Sequence, residues 1–370
     1  MKGIDILFSP YRLNALELPN RVVMAPMTRS RSPGGVPTAE VAAYYRRRAE
    51  KGVGLIITEA TGIGRLASVN EPDIPRFHGE VELAGWRQVV EEVHAAGGRI
   101  VPQLWHAGQK RSNTTPDWYS PVPLESPSGL DLSGKRVSEA MSDADVADTI
   151  VAFARAAADA EQLGFDGVEL HGGHGYLINQ FFFDNLNLRS DKYGGATLIE
   201  RSRFAVEILK AIRRVVSPGF PVIFRLSQWK PQDFNVRIAD TPDVLERFLG
   251  VLVEAGADAF HLSQRKFWEP AFPDYDRDMN FAGWAKRLTG VTAITVGSVG
   301  LSGDVYATFA GESFHPVSLE PLFARLERGE FDLVAVGRPL LQDPAWLEKV
   351  REGRTHELGD FTPSALTSLS

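Results

Sequence analysis

Eight short apolar, β-branched runs recur along the chain, each followed by a longer stretch with helical spacing, and this alternation limits the folds open to it. The runs are Arg21–Met27, Gly54–Thr61, Arg99–His106, Phe165–His171, Pro221–Ser227, Asp258–Ser263, Ala293–Val299 and Asp332–Gly337. Helices are expected over Thr38–Gly52, Ala84–Ala96, Ser142–Gly164, from Thr197 onward, Thr241–Gly256, Phe281–Leu288, Leu319–Arg328 and Pro344–Gly353. Their ends carry physical signals. Thr197 and Glu200 form a capping-box pattern, in which each side chain bonds the other's backbone N–H. Thr241 is an N-cap followed by Pro242 at the first helical position, and Gly97-Gly98 stops the second helix.

Eight strand–helix units predict an α/β protein, a single (β/α)8 TIM barrel. A doubly wound open sheet is the alternative, but eight strands in 370 residues favour closure. No Pro/Gly/Ser-rich linker divides the chain, so one domain over 1–370 is expected. Its core runs from about residue 7 to 353, and 354–370 form a polar tail whose order is open. Two loops depart from the pattern. Ala107–Met141, after the third strand, is long and rich in Pro, Ser and charge, as lids and binding elements often are. Arg265–Asp278, after the sixth, carries Phe267, Trp268, Phe272 and Tyr275 and either covers a ligand or packs locally.

Composition removes several classes of function. There is no cysteine, which excludes disulfides, thiolate metal sites, Fe–S clusters and a Cys nucleophile. A net charge of −7 argues against a nucleic-acid surface. Met1–Pro10 lacks the basic and apolar regions of a secretory leader, and no run of 18 apolar residues exists. A cytoplasmic protein without a membrane partner is expected.

In such a barrel the active site lies at the C-terminal ends of the strands. Sampling there gives Pro26, Met27 and Thr28; Glu59 and Ala60; Gln103, Trp105 and His106; His171, His174 and Tyr176; Arg225; His261; Gly297, Ser298 and Gly300; and Gly337, Arg338 and Pro339. TVGSVG and VAVGRP at the seventh and eighth strands suit a phosphate, through glycine-exposed amides and the bidentate donor Arg338. Gln103 and Arg225 end apolar strands, where burial without a partner costs several kcal/mol. They face either a group such as a flavin pyrimidine edge or, for Arg225, a carboxylate such as Glu59. In HGGHGY, His171 and His174 could donate to one oxygen that becomes negative, with Tyr176 as proton donor. A metal pair completed by Glu59, His106 or His261, or structural histidines bonded to carbonyls, fit the same spacing.

Seven segments in barrel order resemble the Old Yellow Enzyme family of FMN-dependent ene-reductases. They are NRVVMAPMTR (Asn20–Arg29), IITEAT (Ile56–Thr61), PQLWHAG (Pro102–Gly108), VELHGGHGYLINQF (Val168–Phe181) continuing to RSDKYGG, FRLS (Phe224–Ser227), TVGSVG (Thr295–Gly300) and AVGRPLLQDP (Ala335–Pro344). The resemblance spans about Leu7 to Trp346. It implies that Pro26, Met27 and Thr28 line a tightly but non-covalently bound FMN, with Thr28 near O4 where one subgroup has Cys. Ala60 and Gln103 would contact the isoalloxazine, Arg225 would sit near N1, and Gly297, Ser298, Gly337 and Arg338 would hold the phosphate. His171 and His174 would bind the substrate carbonyl, Tyr176 would protonate the α-carbon, and Trp105 would restrict the pocket. Many members carry Asn where this chain has His174. Because His donates only in the right tautomer or when protonated, substrate binding is expected to depend more on pH here. No role is assigned to SQWKPQDF (Ser227–Phe234).

The expected activity is reduction of an electron-poor alkene, an enone or enal, with NAD(P)H as hydride donor. The physiological substrate, the NADH/NADPH preference and the oligomeric state, including a homo-oligomer, are open. Two competing readings are a metal-dependent barrel hydrolase built on the His pair with Glu59 or His261, and a flavin-binding sensor without turnover.

Overall fold

The computed structural model describes residues 2–110, 120–230 and 233–370. All eight expected strands form, all but the second shorter than their apolar runs: β1 (Val22–Met24), β2 (Leu55–Gly62), β3 (Ile100–Trp105), β4 (Val168–His171), β5 (Val222–Ser227), β6 (Ala259–Ser263), β7 (Thr292–Val296) and β8 (Leu333–Val336). They pair in parallel in chain order, and β8 pairs with β1 to close the barrel. The matching helices are α1 (Ala39–Glu50), α2 (Glu80–Ala95), α3 (Asp143–Leu163), α4 (Arg203–Arg213, led in by a turn at Leu198–Arg201), α5 (Pro242–Ala255), α6 (Phe281–Thr289), α7 (Glu320–Glu327) and α8 (Trp346–Arg351). The capping box forms as expected, with Thr197 accepting from the Glu200 N–H and the Glu200 carboxylate from the Thr197 N–H.

Strand side chains alternate between two apolar layers, as a period of two requires. Val22, Ile56, Ile100, Leu104, Val168, Leu170, Val222, Phe224, Phe260 and Val334 face the helices. Val23, Leu55, Ile57, Val101, Ile223, Ala259, Ile294 and Leu333 fill the barrel interior. An antiparallel hairpin (Tyr11–Leu13 paired with Leu16–Leu18), not anticipated from the sequence, adds Leu13 and Leu18 to that interior cluster. The interior is therefore apolar in its lower layers. Above them, toward the strand C-termini, the inward positions become Gln103, Glu169, His171, Arg225 and His261, all buried.

The two long loops differ from one another. The aromatic loop after β6 packs locally: Phe267 and Phe272 are buried, and the Phe272 ring meets Trp284 of α6 at 5.6 Å. In the long loop after β3, residues 111–119 lie outside the described residues. The stretch from Ser120 onward is tied to the barrel through Glu125, which bonds His106 Nε2 at 2.7 Å and pairs with Arg65. The C-terminal tail is packed against the body. Its carbonyls at Ala365, Leu366 and Ser368 accept from Arg29, that of Thr367 from Arg31, and those of Leu369 and Ser370 from Arg47 and Arg48.

Candidate active site

The turn after β4 builds the centre of the site. Gly172 and Gly173 bring the backbone against β5, where a Cβ on Gly172 would stand 2.3 Å from the Phe224 ring. His174 then adopts φ +60°, a left-handed geometry in which His is enriched among non-glycine residues. Its N–H donates to Ser227 Oγ at 2.9 Å, and Lys110 Nζ donates to its carbonyl at 3.4 Å. The two imidazoles meet, His171 Nε2 to His174 Nδ1, at 3.3 Å. Gly173 N–H donates to His171 Nδ1, and His174 Nε2 lies 2.8 Å from Ser263 Oγ. This network assigns the tautomers: His171 carries its proton on Nε2, and His174 donates from Nε2 to Ser263. Burial, reinforced by Arg225, Lys110 and His261 and, for His171, by His174, holds both pKa values well below the usual histidine range. Both rings are thus neutral donors at physiological pH, so the stronger pH dependence expected from His174 is not supported by its surroundings.

Tyr176 stands edge-on to His171 at 4.7 Å and to Trp105 at 5.1 Å, with Lys110 Nζ 4.2 Å over its ring. Trp105, Ala60, Val69, Ile74 and Ala107 form an apolar wall against it. Pro26 and Met27 are half-buried at the end of β1, and Thr28 is exposed. The next two amides, of Arg29 and Ser30, donate to Glu59 Oε2 at 2.8 and 3.0 Å, which anchors this loop to β2.

Below the His pair lies a polar cluster that the sequence reveals only in part. Gln103 Nε2 donates to Glu169 Oε1 at 2.7 Å, His261 Nδ1 bonds Glu169 Oε2 at 2.6 Å, and Arg225 Nη1 lies 3.9 Å from Glu169 Oε1. The carboxylate near Arg225 is therefore Glu169, not Glu59. Arg225 Nε and Nη1 and His261 Nε2 are buried without a hydrogen-bond partner. Leaving a charged guanidinium so poorly paired is costly, which indicates that an acceptor-rich group belongs here.

The ends of β7 and β8 fit a phosphate through their backbone. Gly297 has φ +140°, Ser298 φ +51° and Gly300 φ +73°. Among the described residues, none of the amides of Gly297, Ser298, Gly300, Gly337 and Arg338 donates to a protein acceptor. A Cβ on Gly297 would collide with the Gln264 carbonyl at 2.3 Å. Arg338 contributes differently from expectation. Its guanidinium donates to Asp304 O and Thr308 Oγ1 at 2.9 Å and to Gly303 O at 2.5 Å, so it shapes the loop after β7. The Ser298 hydroxyl likewise bonds the Arg265 and Gly303 carbonyls, so both residues offer an anion their main-chain N–H groups.

The residues considered as further ligands beside the His pair in a metal site are committed elsewhere. Glu59 faces the Arg29 and Ser30 amides, His106 bonds Glu125 and His261 bonds Glu169. Among the described residues no group of three His, Asp or Glu side chains is placed to hold a metal ion. Sequence reasoning missed Glu169, Ser227, Ser263 and Lys110. It also left SQWKPQDF unassigned; residues 231 and 232 of it lie outside the described residues, but the Trp229 ring lies tilted against His174 at 5.0 Å and meets Phe234 and Tyr306.

Pattern and geometry agree with comparisons to known proteins. Residues 6–303 match the model of the NADH:flavin oxidoreductase / NADH oxidase family. The NADH oxidase of Thermoanaerobacter brockii is 33% identical over 361 residues, 95% of this chain, which spans 52% of that longer protein. The 12-oxophytodienoate reductase 7 of Oryza sativa subsp. japonica is 31% identical, with 93% of this chain and 87% of that protein covered. A structure of morphinone reductase in complex with tetrahydroNAD is 30% identical and superposes with a TM-score of 0.77 over 97% of this chain and 93% of that one. No helix of the described residues is long and apolar enough to cross a membrane. By the family match over residues 6–303 and these identities, the chain belongs to the NADH:flavin oxidoreductase family, the Old Yellow Enzyme group, whose cofactor is FMN.

Proposed function

We propose that this protein reduces the activated C=C bond of α,β-unsaturated carbonyl compounds at the expense of NAD(P)H. FMN, when bound, supplies the chemistry of accepting a hydride from the nicotinamide and passing it to the β-carbon. Arg225 and Gln103 hold the pyrimidine edge, Pro26, Met27, Thr28 and Ala60 line the ring, and the amides of Gly297, Ser298, Gly337 and Arg338 hold the phosphate. Neutral His171 donates from Nε2 and neutral His174 from Nδ1 to the substrate carbonyl, whose oxygen inserts into their 3.3 Å contact; on substrate binding His174 shifts its proton from Nε2 to Nδ1, and Nε2 then accepts from the Ser263 hydroxyl. Each donor aimed at developing negative charge is worth ~2.7–4 kcal/mol of transition-state stabilisation. Tyr176 delivers the proton to the α-carbon, and Trp105 limits the bulk that fits beside it.

The observation that carries this reading is the contact of Tyr176 with His171 at 4.7 Å, which puts a proton donor beside the carbonyl-binding pair. A flavin-binding sensor has no need of that arrangement. Stopped-flow measurement of the two half-reactions tests it. Tyr176→Phe should leave flavin reduction by NADPH nearly unchanged and slow reoxidation by 2-cyclohexenone by a hundredfold or more. Equal slowing of both removes Tyr176 from the role, and a preparation that stays colourless and inactive after FMN addition sinks the reading as a whole.

A further inference from the structure

We infer that Glu169 is a positioning residue that sets the polarity and charge of the flavin-facing groups and holds the bound FMN at a lower reduction potential. The inference rests on the FMN-dependent reading above and assigns a part to a residue that touches neither substrate nor flavin.

Glu169 is fully buried on β4, among the inward side chains just above the apolar layers. Its two oxygens meet three neighbours on three strands: Gln103 at 2.7 Å from β3, Arg225 at 3.9 Å from β5 and His261 at 2.6 Å from β6. The arrangement has two effects. The Gln103 amide nitrogen is committed to the carboxylate, so its oxygen is turned away from Glu169, and the side chain offers an acceptor to a ligand. That suits a ligand edge carrying an N–H between two carbonyls, as the flavin pyrimidine does. Arg225 meanwhile has the Glu169 counter-charge 3.9 Å behind its Nη1, while Nε and Nη1 have no hydrogen-bond partner. Its positive field toward the ligand is therefore the residue of a near-cancelled pair, not that of a free guanidinium. His261 does not add to the charge, because burial keeps its pKa low and its Nδ1 serves Glu169.

Reduction places negative charge on the pyrimidine side of the flavin, so the field of this cluster selects between the two redox states. Removing the Glu169 charge while keeping its volume leaves Arg225 uncompensated and favours the reduced state. In Glu169→Gln holoenzyme, dye-equilibrated anaerobic titration should show reduced FMN bound at least tenfold more tightly relative to oxidised FMN than in the parent. For a two-electron couple that is an upward shift of about 30 mV. Glu169→Asp keeps the charge but withdraws it, and should shift the potential in the same direction by less. Yellow Glu169→Gln protein with an unchanged or lowered potential overturns the inference and leaves the FMN-dependent reading intact. If Glu169→Gln does not accumulate with flavin bound, Glu169→Asp decides alone: an upward shift supports the inference, and no shift or a downward one overturns it.

Discussion

Glu59 offers a test of the site's electrostatics through stability rather than turnover. Its carboxyl is 1% exposed, one oxygen accepts from the Arg29 and Ser30 amides, and the other has no partner. Burial outweighs those bonds and the Arg29 charge, and raises its pKa from 4.5 to about 7. The folded protein thus keeps the proton that the unfolded chain releases above pH 4.5. Stability from this group is complete below pH 4.5 and is lost as pH rises through 7. The gap of about 2.5 units corresponds to roughly 3 kcal/mol at 1.36 kcal/mol per unit. At about 2.1 cal/mol/K per residue, a 370-residue unfolding changes Tm by about 1 °C for each ~0.8 kcal/mol, so the loss amounts to about 4 °C. Glu59→Gln keeps an oxygen for the two amides and cannot ionise. Melting of both proteins at one fixed FMN concentration, since ligand alone moves Tm, should show the variant gaining about 3–4 °C on the parent between pH 5 and 8. Parallel curves across that range would refute the argument, because they would mean Glu59 titrates alike in the folded and unfolded states.

The site makes two further outcomes testable. Because burial, Arg225 and Lys110 hold His171 and His174 neutral, enone affinity should stay flat from pH 6 to 8.5; a step near pH 6.5 that disappears in His174→Asn would contradict this. Gly297→Ala should weaken FMN binding at least tenfold with the circular-dichroism spectrum retained, since its Cβ at φ +140° meets the Gln264 carbonyl at 2.3 Å; an unchanged Kd would show that this turn does not hold the phosphate.

The barrel was legible because its strands are buried on both faces and therefore appear as uninterrupted apolar runs. Two helices were legible through their caps: Thr197 and Thr241 each accept from the backbone three residues on, as the pattern predicts. The hairpin at Tyr11–Leu18 was not, because two three-residue strands carry too little periodicity. Arg338 was read as a phosphate donor from its position after β8. Its guanidinium is instead occupied by Asp304, Thr308 and Gly303, whose loop belongs to a different strand.

The same distinction explains Glu169. A charged residue two positions before His171 on a four-residue strand must point inward if His171 does, since side chains of a strand alternate. That much was available from VELH. What the chain order does not contain is the set of partners. Gln103, Arg225 and His261 come from 66, 56 and 92 residues away, and only closure of the sheet brings their strands around one carboxylate. Motifs whose members lie on one turn, such as HGGHGY, carry their geometry in their spacing. Charge clusters inside a barrel carry theirs in the register, where Gln103 lies opposite Glu169 and Arg225 lies between His171 and His261. An inward-facing carboxylate on one strand and an inward-facing arginine on the next, near the same strand ends, are the signal that would have found it.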